Sequence, residues 1–145
     1  NKPSYYDFAL LHRLGDRRLP TSSSDVIATK RGDGTLAIAV WNLVDPDKTP
    51  STKRIRLTIN GVASNAAVSM SRVDDEHSNT LAAYRSLGSP RYPTEAQVDR
   101  MNAATALARP AEQHLNGSHL DLSLQPNALV LLEVQGGSQD GVSRQ

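Results

Sequence analysis

Cysteine is absent from the 145 residues, and aromatic residues are scarce, with one Trp, one Phe and four Tyr. Without cysteine the chain has neither a disulfide framework nor thiolate chemistry, so cysteine usage says nothing about its redox compartment. Blocks of like charge are also missing and the net charge is +1. This charge pattern argues against a nucleic-acid-binding surface or a polybasic membrane anchor.

Long apolar runs are missing as well. The run at residues 128–132 is far shorter than the about 20 residues of a transmembrane helix. No signal peptide is visible, and the first residue is Asn1 rather than Met. We therefore expect a soluble polypeptide of undetermined compartment that has been processed, trimmed or cut from a longer protein. Its length suits a single domain and is sufficient to bury a hydrophobic core.

The first residues predict a short amphipathic helix. Pro3 suits its first turn, and Phe8, Leu11 and Leu14 recur at helical spacing. Gly15 is expected to supply a left-handed cap at the C-terminus. One such helix cannot bury its own apolar face, so this face needs a partner.

From residue 25 onward the apolar period changes from 3.6 to 2, which predicts strands. Two helices interrupt them, one at 81–87 and one that follows the capping-box spacing of residues 94–97 and ends near 108. About six strands are predicted, at 26–30, 35–43, 54–59, from 66 into 73, 118–124 and 128–134. The fold class is mainly β, an antiparallel β-sandwich with a short N-terminal helix and a helical insertion at about 79–110, before the last hairpin.

Turn sequences and the tail complete this prediction. Residues 31–34, Arg-Gly-Asp-Gly, suit a hairpin loop, and Asn60-Gly61 is a two-residue turn signal. The strand at 35–43 is apolar on both faces, so it should be central and covered on both sides. The polar residues 136–145 are expected to be disordered.

Residues 73–79, Val-Asp-Asp-Glu-His-Ser-Asn, form the densest cluster of functional groups. One interpretation is a metal or acid–base site. The other is a strand-to-helix corner in which carboxylates bind turn amides and Ser78 or Asn79 caps the next helix. Adjacent residues on a loop point in different directions, whereas metal sites gather ligands from separate elements, which favours the corner.

Other candidate chemistry is weaker. No Gly-x-Ser-x-Gly sequence supports a nucleophilic serine. Outside the cluster, Glu95, Glu112 and Glu133 share no convincing paired site of the kind that glycoside hydrolysis needs. Tyr84 and Tyr92 are the only material near the insertion for an aromatic sugar platform. The Arg-Gly-Asp tripeptide is explained by its turn without an adhesive role.

Three stretches together resemble family 39 glycoside hydrolases, the β-xylosidases related to α-L-iduronidase. Residues 72–105, RVDDEHSNTLAAYRSLGSPRYPTEAQVDRMNAAT, are similar to the segment that follows the barrel in that family. Residues 3–15 are similar to the last barrel helix, and residues 33–43, DGTLAIAVWNL, to a sandwich strand that ends in aromatic-Asn. The resemblance covers about residues 3–134, and the Asp-x-x-His-Ser-Asn and Gly-x-Pro-x-Tyr-Pro-Thr spacings are its most specific part.

The resemblance implies a (β/α)₈ barrel with two catalytic glutamates, one of them in an Asn-Glu pair, elsewhere in the intact protein. This chain has no Asn-Glu dipeptide. We therefore expect residues 1–15 to be the last helix of a missing barrel, and residues 16–135 to be an accessory β-sandwich without catalytic residues. The intact protein would be a retaining β-xylosidase that acts on xylan or xylo-oligosaccharides.

Five residues are expected to support or rim the site of the intact protein: Asp74, His77, Asn79, Tyr84 and Tyr92. We expect no cofactor, no metal, no nucleic acid and no membrane. The expected partner is the missing barrel, and xylo-oligosaccharide would be bound only through it. A homo-oligomer remains open, and the alternative function is a stand-alone carbohydrate-binding or interaction module.

Overall fold

The computed structural model describes residues 3–74, 80–106 and 110–135, in which the chain forms three α-helices and eight strands. The helices are α1 (Pro3–Leu11), α2 (Thr80–Ser86) and α3 (Glu95–Thr105). The strands are β1 (Arg17–Leu19), β2 (Val26–Lys30), β3 (Leu36–Trp41), β4 (Lys53–Thr58), β5 (Ala67–Val73), β6 (Ala111–His114), β7 (His119–Leu124) and β8 (Leu129–Val134).

The strands form two antiparallel sheets. The larger has six strands in the order β1-β2-β3-β8-β5-β6, and the smaller pairs β4 with β7. The larger sheet packs against the smaller on one face and against α1 on the other. The mainly-β antiparallel sandwich, its short N-terminal helix and its helical insertion before the last strands are therefore confirmed.

Two strands were not predicted from the sequence. β1 and β6 are short, largely polar and without apolar alternation. They lie at opposite edges of the large sheet, where β1 pairs with β2 and β6 with β5. An edge strand needs a neighbour's backbone rather than a buried face of its own, which is why periodicity does not reveal it.

Two connections that the sequence predicts as hairpins cross between the sheets instead. The two-residue hairpin predicted at Asn60-Gly61 is wrong, because β4 pairs with β7 whereas β5 lies in the larger sheet. Gly61 does adopt the left-handed conformation, with φ 82°. Strands β7 and β8 also belong to different sheets, so residues 125–128 form an arch rather than a hairpin.

Strand β3 is central and covered on both faces, as its sequence predicts. Ile38 and Val40 face the small sheet in the main core, together with inward residues of β7 such as Leu122. Ala37 and Ala39 face α1 and are fully buried. Alternation along β3 therefore separates two cores, one on each side of the large sheet.

The N-terminal helix is shorter than predicted and turned differently. It ends at Leu11, and Tyr6 and Leu10 are buried, whereas Phe8 is 64% exposed. The small side chains Ala37 and Ala39 lie in the same cluster as Tyr6 and Leu10, and they leave room for these larger residues. Phe8 belongs to the predicted apolar face but is exposed, so the predicted face and the packed face of the helix differ.

Gly15 is required for a different reason from the one predicted. Its φ is not positive, so it is not a left-handed cap. An added Cβ would lie 2.4 Å from both the carbonyl carbon and the oxygen of Lys30. Gly15 N also donates to Thr29 Oγ1 at 2.7 Å, so a close backbone approach to β2 explains this glycine.

The helical insertion has the predicted capping box. Thr94 Oγ1 accepts from Gln97 N at 3.2 Å, and Thr94 N donates to Gln97 Oε1 at 2.9 Å. Helix α3 ends at Thr105, and residues 107–109 lie outside the described residues, as does the predicted tail at 136–145.

Candidate functional site

The corner after β5 is described only at its start. Val73 joins the core under α1 with Tyr6 and Leu10. The side chain of the next residue, Asp74, is completely enclosed, and its Oδ2 lies 3.9 Å from Arg72 Nη1. The Asp74 carboxylate is thus enclosed beside a half-buried arginine.

The remainder of the predicted cluster, residues 75–79, lies outside the described residues, and with it His77 and Asn79. The supporting or rim role of these residues therefore stays a prediction. Helix α2 begins at Thr80, directly after the cluster.

The two predicted tyrosines lie on the helical insertion and have different surroundings. Tyr84 is half-buried, and its hydroxyl donates to the carbonyl oxygen of Pro90 at 2.7 Å. This bond closes the turn after α2, in which Gly88 and Ser89 have positive φ. Tyr84 thus stabilises the connector between α2 and α3.

Tyr92, in contrast, presents its ring to solvent. It is 81% exposed, and the guanidinium of Arg91 lies 5.5 Å from the ring centroid, a cation–π distance. The ion pair of Asp74, the hydroxyl bond of Tyr84 and the ring contact of Tyr92 each lead to a residue outside the predicted set. These three contacts therefore do not join one predicted site residue to another.

A charge cluster that the sequence did not reveal fastens α1 to the large sheet. Glu133 of β8 binds the guanidinium of Arg13, just after α1, and that of Arg31 in the β2–β3 loop, the latter at 2.8 Å. Arg31 Nε also donates to the carbonyl oxygen of Arg13 at 2.8 Å, and Arg13 Nη1 to Ser71 Oγ at 3.4 Å. A single glutamate in an apolar strand was the available signal, because a carboxylate in such a strand needs cations beside it.

The Arg-Gly-Asp-Gly sequence forms the predicted hairpin between β2 and β3. Gly34 N donates to Arg31 O at 3.0 Å, and Asp33 Oδ1 accepts from Thr35 N at 2.9 Å. The Thr35 backbone and hydroxyl bonds, with Arg31 nearby, lower the pKa of Asp33. Two of the residues in the tripeptide are thus engaged in local structure, Arg31 with Glu133 and Asp33 with Thr35.

Two further carboxylates have shifted pKa values. On the outer face of the small sheet, hydrogen bonds from Arg56 lower the pKa of Asp121, and the same pairing raises the pKa of Arg56. On α1, partial burial raises the pKa of Asp7. A cation causes the first shift and burial the second, so neither pKa indicates a pair of carboxylates that share a site.

Metal-binding clusters and membrane-spanning helices are absent from the described part of the chain. Within residues 3–74, 80–106 and 110–135, no three His, Asp or Glu side chains come together in a way that could hold a metal ion. Over the same ranges, no helix combines the length and the apolar character needed to cross a bilayer.

Known proteins share both the sequence pattern and the fold. A beta-xylosidase of Geobacillus stearothermophilus is 26% identical over 136 residues, which are 92% of this chain and 27% of that protein. The crystal structure of a monomeric beta-xylosidase from Caulobacter crescentus CB15 superposes with a TM-score of 0.76 at 22% identity, over 94% of this chain and 31% of that one. This second likeness shows a shared fold.

A further solved structure, a GH39 beta-xylosidase from Caulobacter crescentus, is 26% identical with a TM-score of 0.67, over 93% of this chain and 28% of that one. The chain thus spans less than a third of the length of these proteins. The sequence profile of glycosyl hydrolases family 39 matches residues 1–116. The chain belongs to glycosyl hydrolases family 39.

Proposed function

We propose that this chain is the accessory β-sandwich of a retaining glycoside hydrolase that acts on β-xylosides as a longer protein. One observation carries the proposal: almost the whole chain matches beta-xylosidases, yet it spans only 27% of the length of the Geobacillus protein. A part of that size without a catalytic pair of its own is expected to be joined to a catalytic region.

The glutamates of the described residues support a catalytic pair outside this chain. Retaining hydrolysis needs two carboxyl groups about 5–5.5 Å apart on either side of the sugar. Glu133 is bound by two arginines, Glu112 accepts from Ser69 at 3.0 Å, and Glu95 lies in the first turn of α3. They lie on β8, β6 and α3, and the chain has no Asn-Glu dipeptide.

Helix α1 has the two faces that a helix between a sandwich and a barrel would need. Tyr6 and Leu10 are buried on the sandwich, whereas Phe8 is 64% and Leu11 36% exposed. We propose that residues 1–15 are the segment that holds the last barrel helix, which is α1 at Pro3–Leu11, and that the face with Phe8 and Leu11 packs against the catalytic barrel. The sandwich would thereby hold this helix in place from the opposite side.

The five predicted site residues retain their proposed role at the rim or as its support. Asp74 would act as support because it is enclosed, and Tyr92 as a rim residue because its ring is exposed. In the longer protein, Tyr92→Ala and His77→Ala should raise KM for a xylo-oligosaccharide more than they lower kcat. Equal kinetic constants in all three proteins would exclude the rim role.

Hydrolysis of an aryl β-xyloside tests the function. The longer protein that contains these residues should release the aryl group with retention of anomeric configuration, and the 145-residue chain should release none. Turnover by the 145-residue chain would refute the separate location of the catalytic pair. A longer protein inactive on xylosides but active on another glycoside would refute the substrate.

The exposed ring of Tyr92 is the one observation that favours a stand-alone sugar-binding module. The Arg91 guanidinium lies over one face of this ring, so only the opposite face is left to stack on a sugar. Under this alternative the 145-residue chain binds xylo-oligosaccharide by itself, and Tyr92→Ala weakens that binding. A flat calorimetric titration of the unmodified chain would remove the alternative.

A further inference from the structure

The chain contains two Asn-Gly sequences, and the fold treats them differently. Asn60-Gly61 lies in the connection from β4 to β5, and Asn116-Gly117 lies between β6 and β7. In such a pair the backbone nitrogen of the glycine can attack the side-chain amide of the asparagine, because glycine has no side chain to obstruct the approach and its backbone rotates freely. The two sequences are therefore alike in intrinsic reactivity, and only their surroundings distinguish them.

Asn116-Gly117 is held by hydrogen bonds although Asn116 is exposed. Asn116 N donates to the carbonyl oxygen of His119 at 2.8 Å, and His119 N donates to that of Asn116 at 3.0 Å. The attacking atom itself is engaged, since Gly117 N donates to Asn65 Oδ1 at 3.0 Å. An attack by Gly117 N therefore requires this turn to open first.

Asn60-Gly61 has no such restraint. Both residues are exposed, and a Cβ at Gly61 would meet no atom within 4 Å. Among the residues that the structure describes, none forms a hydrogen bond with Gly61 N or with the Asn60 carboxamide. The glycine nitrogen and the amide that it would attack are thus both open to water.

We propose that Asn60 is a site of spontaneous deamidation in the folded protein and that the β6–β7 turn protects Asn116 from the same reaction. Gly61 N loses its proton and forms a bond to Asn60 Cγ, and the bond from Cγ to Nδ2 breaks, so that ammonia leaves with that proton. The cyclic imide then takes up one water molecule and opens at either carbonyl, which gives aspartate or isoaspartate. Water is the only co-reactant.

The two products should differ in their effect on the fold. Aspartate places one negative charge on the surface in place of a neutral amide. Isoaspartate also adds one carbon to the main chain between Ile59 and Val62, and both of these residues pack in the main core. Ile59 N is in addition fixed to Ser118 O at 2.8 Å. Protein that carries isoaspartate at residue 60 should therefore unfold at a lower temperature than the Asn60→Asp variant.

Peptide mass spectrometry of the longer protein, incubated while folded at mildly alkaline pH, tests the proposal. Asn60 should deamidate faster than Asn116 by on the order of tenfold or more, because opening even one hydrogen bond at Gly117 N slows the attack by about that factor. The rate at Asn60 should also rise with pH, since Gly61 N must lose its proton. Equal rates at the two sites, or a faster reaction at Asn116, would overturn the proposal.

Unfolding in guanidinium chloride separates the fold from the local sequence. There the two asparagines should deamidate at similar rates, because the contacts that distinguish them are lost. If Asn60 keeps its full excess over Asn116 in denaturant, the neighbouring residues rather than the fold cause the difference and the inference is wrong. It is equally wrong if Asn60 reacts only after the longer protein has been unfolded.

Variants of Asn65 probe the protecting bond directly. Asn65→Gly removes the acceptor of Gly117 N while still allowing the φ of 59° at this position, so it should speed deamidation of Asn116 by on the order of tenfold and leave Asn60 unchanged. Asn65→Asp keeps an acceptor oxygen and should keep Asn116 protected. An unchanged rate at Asn116 in Asn65→Gly would contradict the protection. None of these readouts depends on xyloside hydrolysis, so they can fail independently of the proposed function.

Discussion

Removing the charge of Glu133 should loosen the attachment of α1 to the sandwich. Glu133→Gln keeps the size of the side chain but replaces a carboxylate that binds Arg13 and Arg31. The same two arginines are also joined by the bond from Arg31 Nε to the Arg13 carbonyl oxygen. The variant therefore weakens the three-residue cluster without deleting its backbone link.

The magnitude follows from the exposure of the three side chains. Glu133 is 17% exposed, Arg31 27% and Arg13 36%, so the cluster lies between a surface pair and a buried one. Exposed pairs contribute about 0.2–1 kcal/mol, and breaking a buried pair costs about 3–5 kcal/mol. Because water can still reach both arginines after the substitution, we expect a loss of about 1–2 kcal/mol in the free energy of unfolding.

Urea unfolding measures this loss directly, as a lower midpoint at an unchanged m value. Glu112→Gln is the matched control, since Glu112 is exposed and accepts a hydrogen bond from the Ser69 hydroxyl; it should change stability by less than about 0.5 kcal/mol. In a double-mutant cycle with Arg31→Met, a coupling of about 1 kcal/mol is expected. If Glu133→Gln is no less stable than Glu112→Gln, the charge cluster does not hold the helix.

Three further substitutions test other features of the fold. Gly15→Ala should cost about 1–3 kcal/mol, because its Cβ would overlap the Lys30 backbone, whereas Gly32→Ala, with no atom within 4 Å, should cost less than about 0.5 kcal/mol in the same urea assay. Asn42→Ala should lower the free energy of unfolding by about 2–4 kcal/mol, since its side-chain amide donates to three main-chain carbonyls between 2.9 and 3.2 Å away; a change within about 1 kcal/mol would contradict this structural role. Burial raises the pKa of Asp7 above 3.8, so its contribution to stability is present at about pH 3 and is lost as the pH rises through the folded pKa. Asp7→Asn should therefore raise Tm at about pH 7 and leave it unchanged at about pH 3, and a lower Tm near neutral pH would show that the ionised form is stabilised.

The strands with an apolar alternation could be predicted from the sequence because their signal is local. β2 was predicted at residues 26–30 and is observed there, and the two covered faces of β3 followed from its apolar residues on both sides. The capping box at Thr94 and Gln97 was also predictable, since all its partners lie within one helical turn.

The partners of those strands could not be predicted in the same way. A turn signal such as Asn60-Gly61 states that the chain bends but not into which sheet it continues. β4 pairs with a strand more than 60 residues away, as the register of Ile55 with Leu122 shows. Such pairing depends on which edge the rest of the chain leaves open.

The candidate site also has features that the sequence predicted and features that only the structure showed. The cluster at residues 73–79 was visible as a concentration of functional groups, and the resemblance to family 39 pointed to catalysis elsewhere. Only the folded chain could show that Asp74 is enclosed, that the Tyr84 hydroxyl is used by the Pro90 carbonyl and that Tyr92 is exposed. The environment of each of these groups is set by residues that are distant in sequence or by the path of a turn.

By itself, the sequence determined the fold class, most of the strands, the helix cap and the family, because each depends on periodicity or motifs within a short window. The tertiary structure decided which strands share a sheet, why Gly15 must be glycine and how Glu133 joins α1 to β8. It also showed that the two sheets have unequal widths. The physical reason is that backbone pairing, close approach and charge compensation each join two separate segments, and a local pattern describes only one of them.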